Sequence, residues 1–223
     1  MQTEAQSIAR QTVSTEPDAL HLLEQFGATL RIPRNREIHM EGDQANYCYR
    51  VVSGCVRTVR LMEDGRRQVG EFHLAGDMFG FDDLGVHDLG AEAVCDTVLR
   101  RFPRRMVETL ADSRTSLARR LRELALKRLH IAHEQIVLLG RKTATERLAS
   151  FLLDMQGRTA TKGGFIELPM GRADIADHLG LTVETVCRVL AAIKREGGIA
   201  IERAGIVVRD SRTLCALAND TRH

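Results

Sequence analysis

A chain of 223 residues with 43% apolar residues has enough core-forming side chains for one or two folded domains, and this composition excludes an intrinsically disordered chain. The net charge of +2 excludes bulk attraction as the source of any affinity for nucleic acid. Charge is nevertheless unevenly placed: nine Lys/Arg stand against sixteen Asp/Glu in residues 1–99, twelve against four in 100–142, and eleven against ten in 143–223.

Five cysteines, at 48, 55, 95, 187 and 215, are odd in number and form no C-x-x-C pair, which argues against a disulfide framework or a zinc site. With no signal-peptide pattern and no apolar run of membrane-spanning length, the expected compartment is the reducing cytoplasm, with no membrane partner.

Residues 1–17 are polar and patternless, and are expected to form a mobile arm. Residues 18–26, DALHLLEQF, read as a short amphipathic helix. From 30 to 102 the apolar period becomes two, and Gly42, Gly54, Gly65, Gly70, Gly76, Gly80 and Gly85 recur at regular intervals. Ser53-Gly54 and Glu63-Asp64-Gly65 are expected turns, the Asp-Gly pair being a hairpin signal. Short, evenly spaced strands of this kind close into a small antiparallel roll, so 18–102 is expected to be one β-domain.

Pro103 opens a helical stretch that runs to about residue 141. Leu117, Leu121, Leu124, Arg128, Ile131, Gln135 and Leu138 follow at alternating spacings of four and three, as a two-stranded coiled-coil seam requires. Arg128 and Gln135 lower the stability of such a seam and set its register. Leu126, Leu129 and Ile136 form a second stripe, expected to cover the roll while the first joins two copies. The plainer alternative is a helix that packs on its own domain alone. Gly140-Arg141-Lys142 breaks the helix, which places the boundary at 141/142.

In 142–223, Thr145 and Glu146 open a helix through RLASFLLDM, 157–164 (GRTATKGG) reads as a flexible surface loop, and 165–170 (FIELPM) as a strand. After Gly197-Gly198, IAIERAGIVVRD holds two strands around Ala204-Gly205, a β-hairpin wing. Between these lies RADIADHLGLTVETVCRVLA, 172–191. Ile175 and Leu179 mark the buried stripe of one short helix, and Val186, Val189 and Leu190 that of a second. Ala176 lets the two cross closely, Gly180 supplies the turn, Leu181 plugs the corner, and Thr182 caps the second helix with Glu184 in its first turn. These offsets predict a helix-turn-helix, and the overall fold expected is α+β: roll, long dimerisation helix, winged helix-turn-helix.

Glu184, Cys187 and Arg188 fall at i, i+3 and i+4, so they share one outward face. An acceptor-only carboxylate suits cytosine N4, and a guanidinium fork suits guanine O6 and N7. Thr182, Glu184, Thr185, Cys187 and Arg188 are therefore the expected contacts to double-stranded DNA. Cys187 is also a candidate redox site, because the helix dipole and Arg188 are expected to lower its thiol pKa.

With ETVCR at its recognition helix the chain resembles the CRP/FNR family of bacterial regulators, whose pattern there is E-x-x-[S/G]-R, and within it the FixK-type proteins. The resemblance covers the chain from about residue 20. It implies that the β-domain is a cyclic-nucleotide-binding-like roll, that the protein is a homodimer on a palindromic TTG-type site, and that it acts mainly as an activator of low-oxygen respiration or nitrogen-fixation genes. RNA polymerase is the implied partner, met through the loop 157–164 or the acidic tip at Asp82 and Asp83.

Two family cofactors are not expected. The N-terminal cysteines that hold an iron–sulfur cluster are missing, and the phosphate-binding R-[ST]-A triplet is replaced by Ala91-Glu92-Ala93 after Gly76-Asp77. His73 on a strand is similar to a haem ligand of other relatives, but a lone strand histidine is more often structural. The expected regulator has no cofactor and no metal; the alternative is one whose roll binds an unidentified effector or haem. An enzyme is disfavoured, since no nucleophile–base pair or catalytic cluster is evident among the eight histidines and scattered cysteines.

Overall fold

The computed structural model describes residues 20–82, 85–159, 164–203 and 205–219. The expected arm 1–17, residues 18 and 19, Asp83, 160–163 of the expected loop and Ala204 of the wing lie outside the described residues.

A single helical turn, α1 (His21–Glu24), leads into eight strands: β1 (Ala28–Ile32), β2 (Glu37–His39), β3 (Tyr47–Ser53), β4 (Cys55–Leu61), β5 (Arg67–Leu74), β6 (Met78–Phe79), β7 (Gly90–Ala93) and β8 (Thr97–Pro103). They form two four-stranded antiparallel sheets, ordered β1-β8-β3-β6 and β2-β7-β4-β5. The period-two pattern works as expected: Tyr49, Val51, Val56, Phe79 and Leu99 meet in one buried cluster. Rings complete the filling. The imidazoles of His39 and His87 stack at 3.5 Å between centroids, and Tyr49 and His73 each stack on Phe79 at 5.0 Å. His73 is thus a packed core ring. Asp64 closes the β4–β5 hairpin by accepting from the Arg66 amide at 3.1 Å.

The helical stretch after Pro103 is two helices, α2 (Arg104–Ser113) and α3 (Thr115–Arg141), separated by Arg114 in an extended conformation. Ser113 Oγ donates to the Leu110 carbonyl at 3.1 Å, the acceptor a continuing helix would give to the Arg114 amide.

Within the protomer, the first stripe of α3 is the covered one and the second, expected to cover the roll, is exposed. Leu117 is fully buried, and Leu121 and Leu124 pack with it on a cluster containing Cys48, Phe102 and Val107 of the same protomer. Ile131 is half-buried, and Leu138 packs on the core of the C-terminal half. Leu126, Leu129 and Ile136 are the exposed ones, at 59%, 53% and 69%. The polar members of the first stripe explain the choice: Arg128 lies 3.9 Å from Glu71, and Gln135 donates to the His178 carbonyl at 2.9 Å, so both have partners within the chain.

Beyond Lys142, whose backbone is extended, come α4 (Ala144–Thr159), β9 (Phe165–Glu167), α5 (Arg172–Leu179), α6 (Val183–Arg195), β10 (Ile199–Ile201), β11 (Gly205–Val208) and α7 (Ser211–Leu217). The strands form a sheet ordered β10-β11-β9, the wing. Helix α4 runs to Thr159, so residues 157–159 of the expected loop are helical. Helix α7 has no counterpart in the sequence reading; Asp210 caps it by accepting from the Arg212 amide at 2.9 Å, and Leu214 anchors it in the core.

One apolar cluster joins both halves. Val69 and Phe72 of β5 belong to the same buried set as Phe151, Ile175 and Leu190, with Phe72 meeting His178 at 5.3 Å and Phe151 at 6.3 Å. Among the described residues, no helix is long and apolar enough to cross a membrane.

Candidate nucleic-acid interface

Helices α5 and α6 meet at Gly180, whose φ of 61° and ψ of 43° lie in the left-handed region where a side chain is strained. Ile175, Ala176, Leu179, Val186, Val189 and Leu190 are all buried between the two helices and α4, as their spacing predicts. Leu181 packs against the same cluster. Thr182 is the N-cap of α6 and accepts from the Thr185 amide at 3.2 Å. The side of α6 away from this core carries Glu184, Cys187 and Arg188, all exposed, with Thr185 half-buried at their base.

Hydrogen bonding to its own amide and to Thr182 holds the Glu184 carboxyl below its ordinary pKa, so it is an acceptor at neutral pH. Arg188 reaches Thr185 Oγ at 3.5 Å, the outer limit of a hydrogen bond, which leaves its planar fork available to a partner in front of the helix. The structure thus brings all five expected contact residues to the N-terminal half of one helix. The hinge end is braced by Arg147, which donates to the carbonyls of Leu179 and Leu139 at 2.9 Å each.

The residues at the roll's expected nucleotide positions do not fit a cyclic phosphate. Glu92 Oε2 accepts from Arg57 Nη2 at 2.6 Å, and Asp77 Oδ2 from Arg158 Nη2 at 2.6 Å. The acids at the places where the resemblance puts nucleotide contacts are therefore already paired, and the His39, Tyr49, His73, Phe79 and His87 rings stack together in the roll. A cleft of about 250 Å³ lies outside that stack, between β3, α2 and α3, lined in part by Cys48, Phe81 and Leu121.

The pairing arginines were missed by the sequence reading. Arg57 also donates to Asp174 Oδ1 on α5 at 2.9 Å, and Arg67 donates to Asp174 Oδ1 and Asp177 Oδ2 at 2.7 Å each. Asp174 in turn accepts from the Gly171 amide at 3.3 Å, closing the start of α5. Burial opposes the Arg67 charge, but Asp177 and Asp174 outweigh it and raise its pKa further. Partners more than a hundred positions apart leave no local pattern to read.

Two described residues of the expected polymerase surfaces have partners within the chain. Asp82 turns inward, its carboxylate 2.6 Å from His87 Nδ1, and Arg158 is committed to Asp77 and to the Phe72 carbonyl at 2.7 Å.

Comparison with known proteins agrees with this geometry. Residues 29–114 match the cyclic nucleotide-binding domain and residues 146–217 the Crp-like helix-turn-helix domain. The nitrogen fixation regulation protein FixK of Rhizobium meliloti (strain 1021) is 44% identical over 179 residues, 80% of this chain and 78% of that protein. The FixK of Bradyrhizobium diazoefficiens is 37% identical over 217 residues, 95% of this chain and 92% of its own. The structure of FixK2 from Bradyrhizobium japonicum superposes with a TM-score of 0.84 at 41% identity, covering 88% of this chain and 98% of the other. With FixK relatives 44% and 37% identical over 80% and 95% of its length, this chain is a DNA-binding transcription regulator and a member of the CRP/FNR family, of the FixK type.

Proposed function

We propose that the protein is a homodimeric, cytoplasmic, sequence-specific regulator, mainly an activator, that binds DNA without any molecule in its roll. The exposed Glu184–Cys187–Arg188 face of α6, backed by a fully buried opposite side, is the observation that carries this reading. Two such helices on a two-fold axis read inverted half-sites about one helical turn, roughly 10 bp, apart. Arg188 takes a guanine and Glu184 the cytosine of a neighbouring pair, within the TTG-type core implied by the resemblance. The names of the FixK relatives point to nitrogen-fixation or low-oxygen respiratory genes as targets, and RNA polymerase is the partner through which activation is read.

The dimer face is the exposed stripe of α3, Leu126, Leu129 and Ile136, since the other stripe is occupied within the protomer. Three large apolar side chains in heptad-compatible spacing on one helix are stabilised by a second copy of the same helix.

Cys187 makes this face sensitive to oxidants. Peroxide transfers one oxygen to the thiol sulfur, giving a sulfenic acid and water, and a second equivalent gives the sulfinic acid and water. The added oxygens put bulk and charge where the helix meets phosphate and base.

Selection from random DNA, followed by retardation, tests the reading. Wild type should select an inverted repeat. Arg188→Ala should weaken binding by about 1–3 kcal/mol per half-site and relax preference at one position. Uniform weakening on every sequence would make Arg188 a phosphate clamp and overturn the base assignment.

A further inference from the structure

The two halves are joined by a docked face. At its centre Phe72 of β5 meets Phe151 of α4 and His178 of α5. Around that centre run two sets of ion pairs, each with one end on the roll and one on the DNA-binding half. In the first, Arg57 of β4 bridges Glu92 of β7 and Asp174 of α5, while Arg67 of β5 holds Asp174 and Asp177. In the second, Arg158 of α4 holds Asp77 in the turn before β6. Arg57 and Asp174 are nearly buried, with side chains 9% and 11% exposed.

Position makes these pairs more than glue. Asp77 and Glu92 occupy the places at which the family resemblance puts nucleotide contacts, and here Glu92 is held by Arg57, which also reaches Asp174 of α5, while Asp77 is held by Arg158 of α4. The first set grips α5 and the second α4, and α6 is fixed to α5 through the left-handed turn at Gly180. A guanidinium fork holding carboxylates on two elements fixes an angle as well as a distance.

We propose that Arg57, Arg67 and Arg158 are positioning residues for DNA reading: they lock the recognition helix at its working angle to the roll, doing from within the chain what a bound effector does from outside. This inference rests on the DNA-reading role of α6. It predicts that loosening the pairs lowers DNA affinity even while both halves stay folded, because the bound orientation is then only a fraction of the population.

Full-length protein and the duplex selected from random DNA provide the test. Arg67→Glu places a carboxylate beside Asp174, Asp177 and Glu92. Its Kd should rise about tenfold or more at a temperature well below unfolding, with faster amide exchange in α5 and unchanged exchange in the β1–β8 sheet. Adding Asp177→Arg to that variant puts a guanidinium back in reach of Asp174, and should return Kd to within about threefold of wild type. Should Arg67→Glu fail to fold, Asp177→Asn removes one pair only and should still raise Kd by about twofold to fivefold with faster α5 exchange. Wild-type Kd in the variants, or a loss that the double substitution leaves in place, overturns the proposal while the DNA reading stands. Failure of the wild type to retain any selected duplex overturns both.

Discussion

At the roll's ligand positions Asp77 and Glu92 each meet an arginine at 2.6 Å, whereas on α6 Glu184, Cys187 and Arg188 stand in solvent. Both regions are rich in groups able to recognise a ligand, and they lie in the segments that match the cyclic nucleotide-binding and Crp-like helix-turn-helix domains. The difference is whether that capacity is already used. A carboxylate held by a guanidinium cannot accept from a nucleotide without first losing its partner, a step that leaves a charge unpaired. An exposed fork at a helix N-terminal half needs to shed only water. The internal bonding of each region separates the solvent-facing side of α6 from the paired carboxylates of the roll.

The same contrast runs along α3, and breaking it gives the largest effect. Leu129→Glu on the exposed stripe should yield monomers by sedimentation velocity and weaken retardation by about 100-fold or more, since two linked half-site contacts become one. Leu124→Glu on the inward stripe should instead lower the melting temperature and leave the folded fraction dimeric. The opposite pattern would return the interface to the inner stripe.

The roll's interior offers a second test, through acid. Burial, and then the neighbouring His87, lower the His39 pKa from the ordinary 6.5 to about 4; burial also lowers those of His73 and His178. Between these limits the unfolded chain binds a proton that the folded His39 refuses. The unfolding free energy should therefore be at its full value above pH 6.5 and fall as pH drops towards 4, by on the order of 2–3 kcal/mol from His39 alone. Denaturant unfolding at a series of pH values measures it, and His39→Phe should flatten that part of the profile. An unchanged slope in the variant would assign the acid sensitivity elsewhere.

The smallest effect is expected on α6. Peroxide should weaken wild-type retardation by about tenfold, roughly 1.4 kcal/mol, without altering the melting temperature. The treated-to-untreated ratio should be near one for Cys187→Ser. Equal sensitivity in that variant would point to Cys215 or another thiol.

The helix-turn-helix was legible because its determinants are local: Ala176, Gly180 and Thr182 each do in the structure what their spacing announces. Period-two alternation likewise marked the roll. Heptad spacing showed that two stripes of α3 want cover, but spacing carries no information on what supplies it. The inward stripe holds Arg128 and Gln135, and their partners Glu71 and the His178 carbonyl lie on other elements. The ion pairs between the halves were illegible for the same reason: Arg57 and Asp174 are 117 positions apart. Helix α7 left a faint signal, Asp210 ahead of Leu214, too short to set a period.

The central claim, that this protein reads DNA with its roll closed to effectors, is tested most directly by titrating additive-free protein against the selected duplex with and without cyclic AMP and cyclic GMP. The additive-free protein should retard the duplex sequence-specifically, with the same Kd, within about twofold, in the presence of either nucleotide. A tenfold or greater gain in affinity on adding either one would contradict that claim.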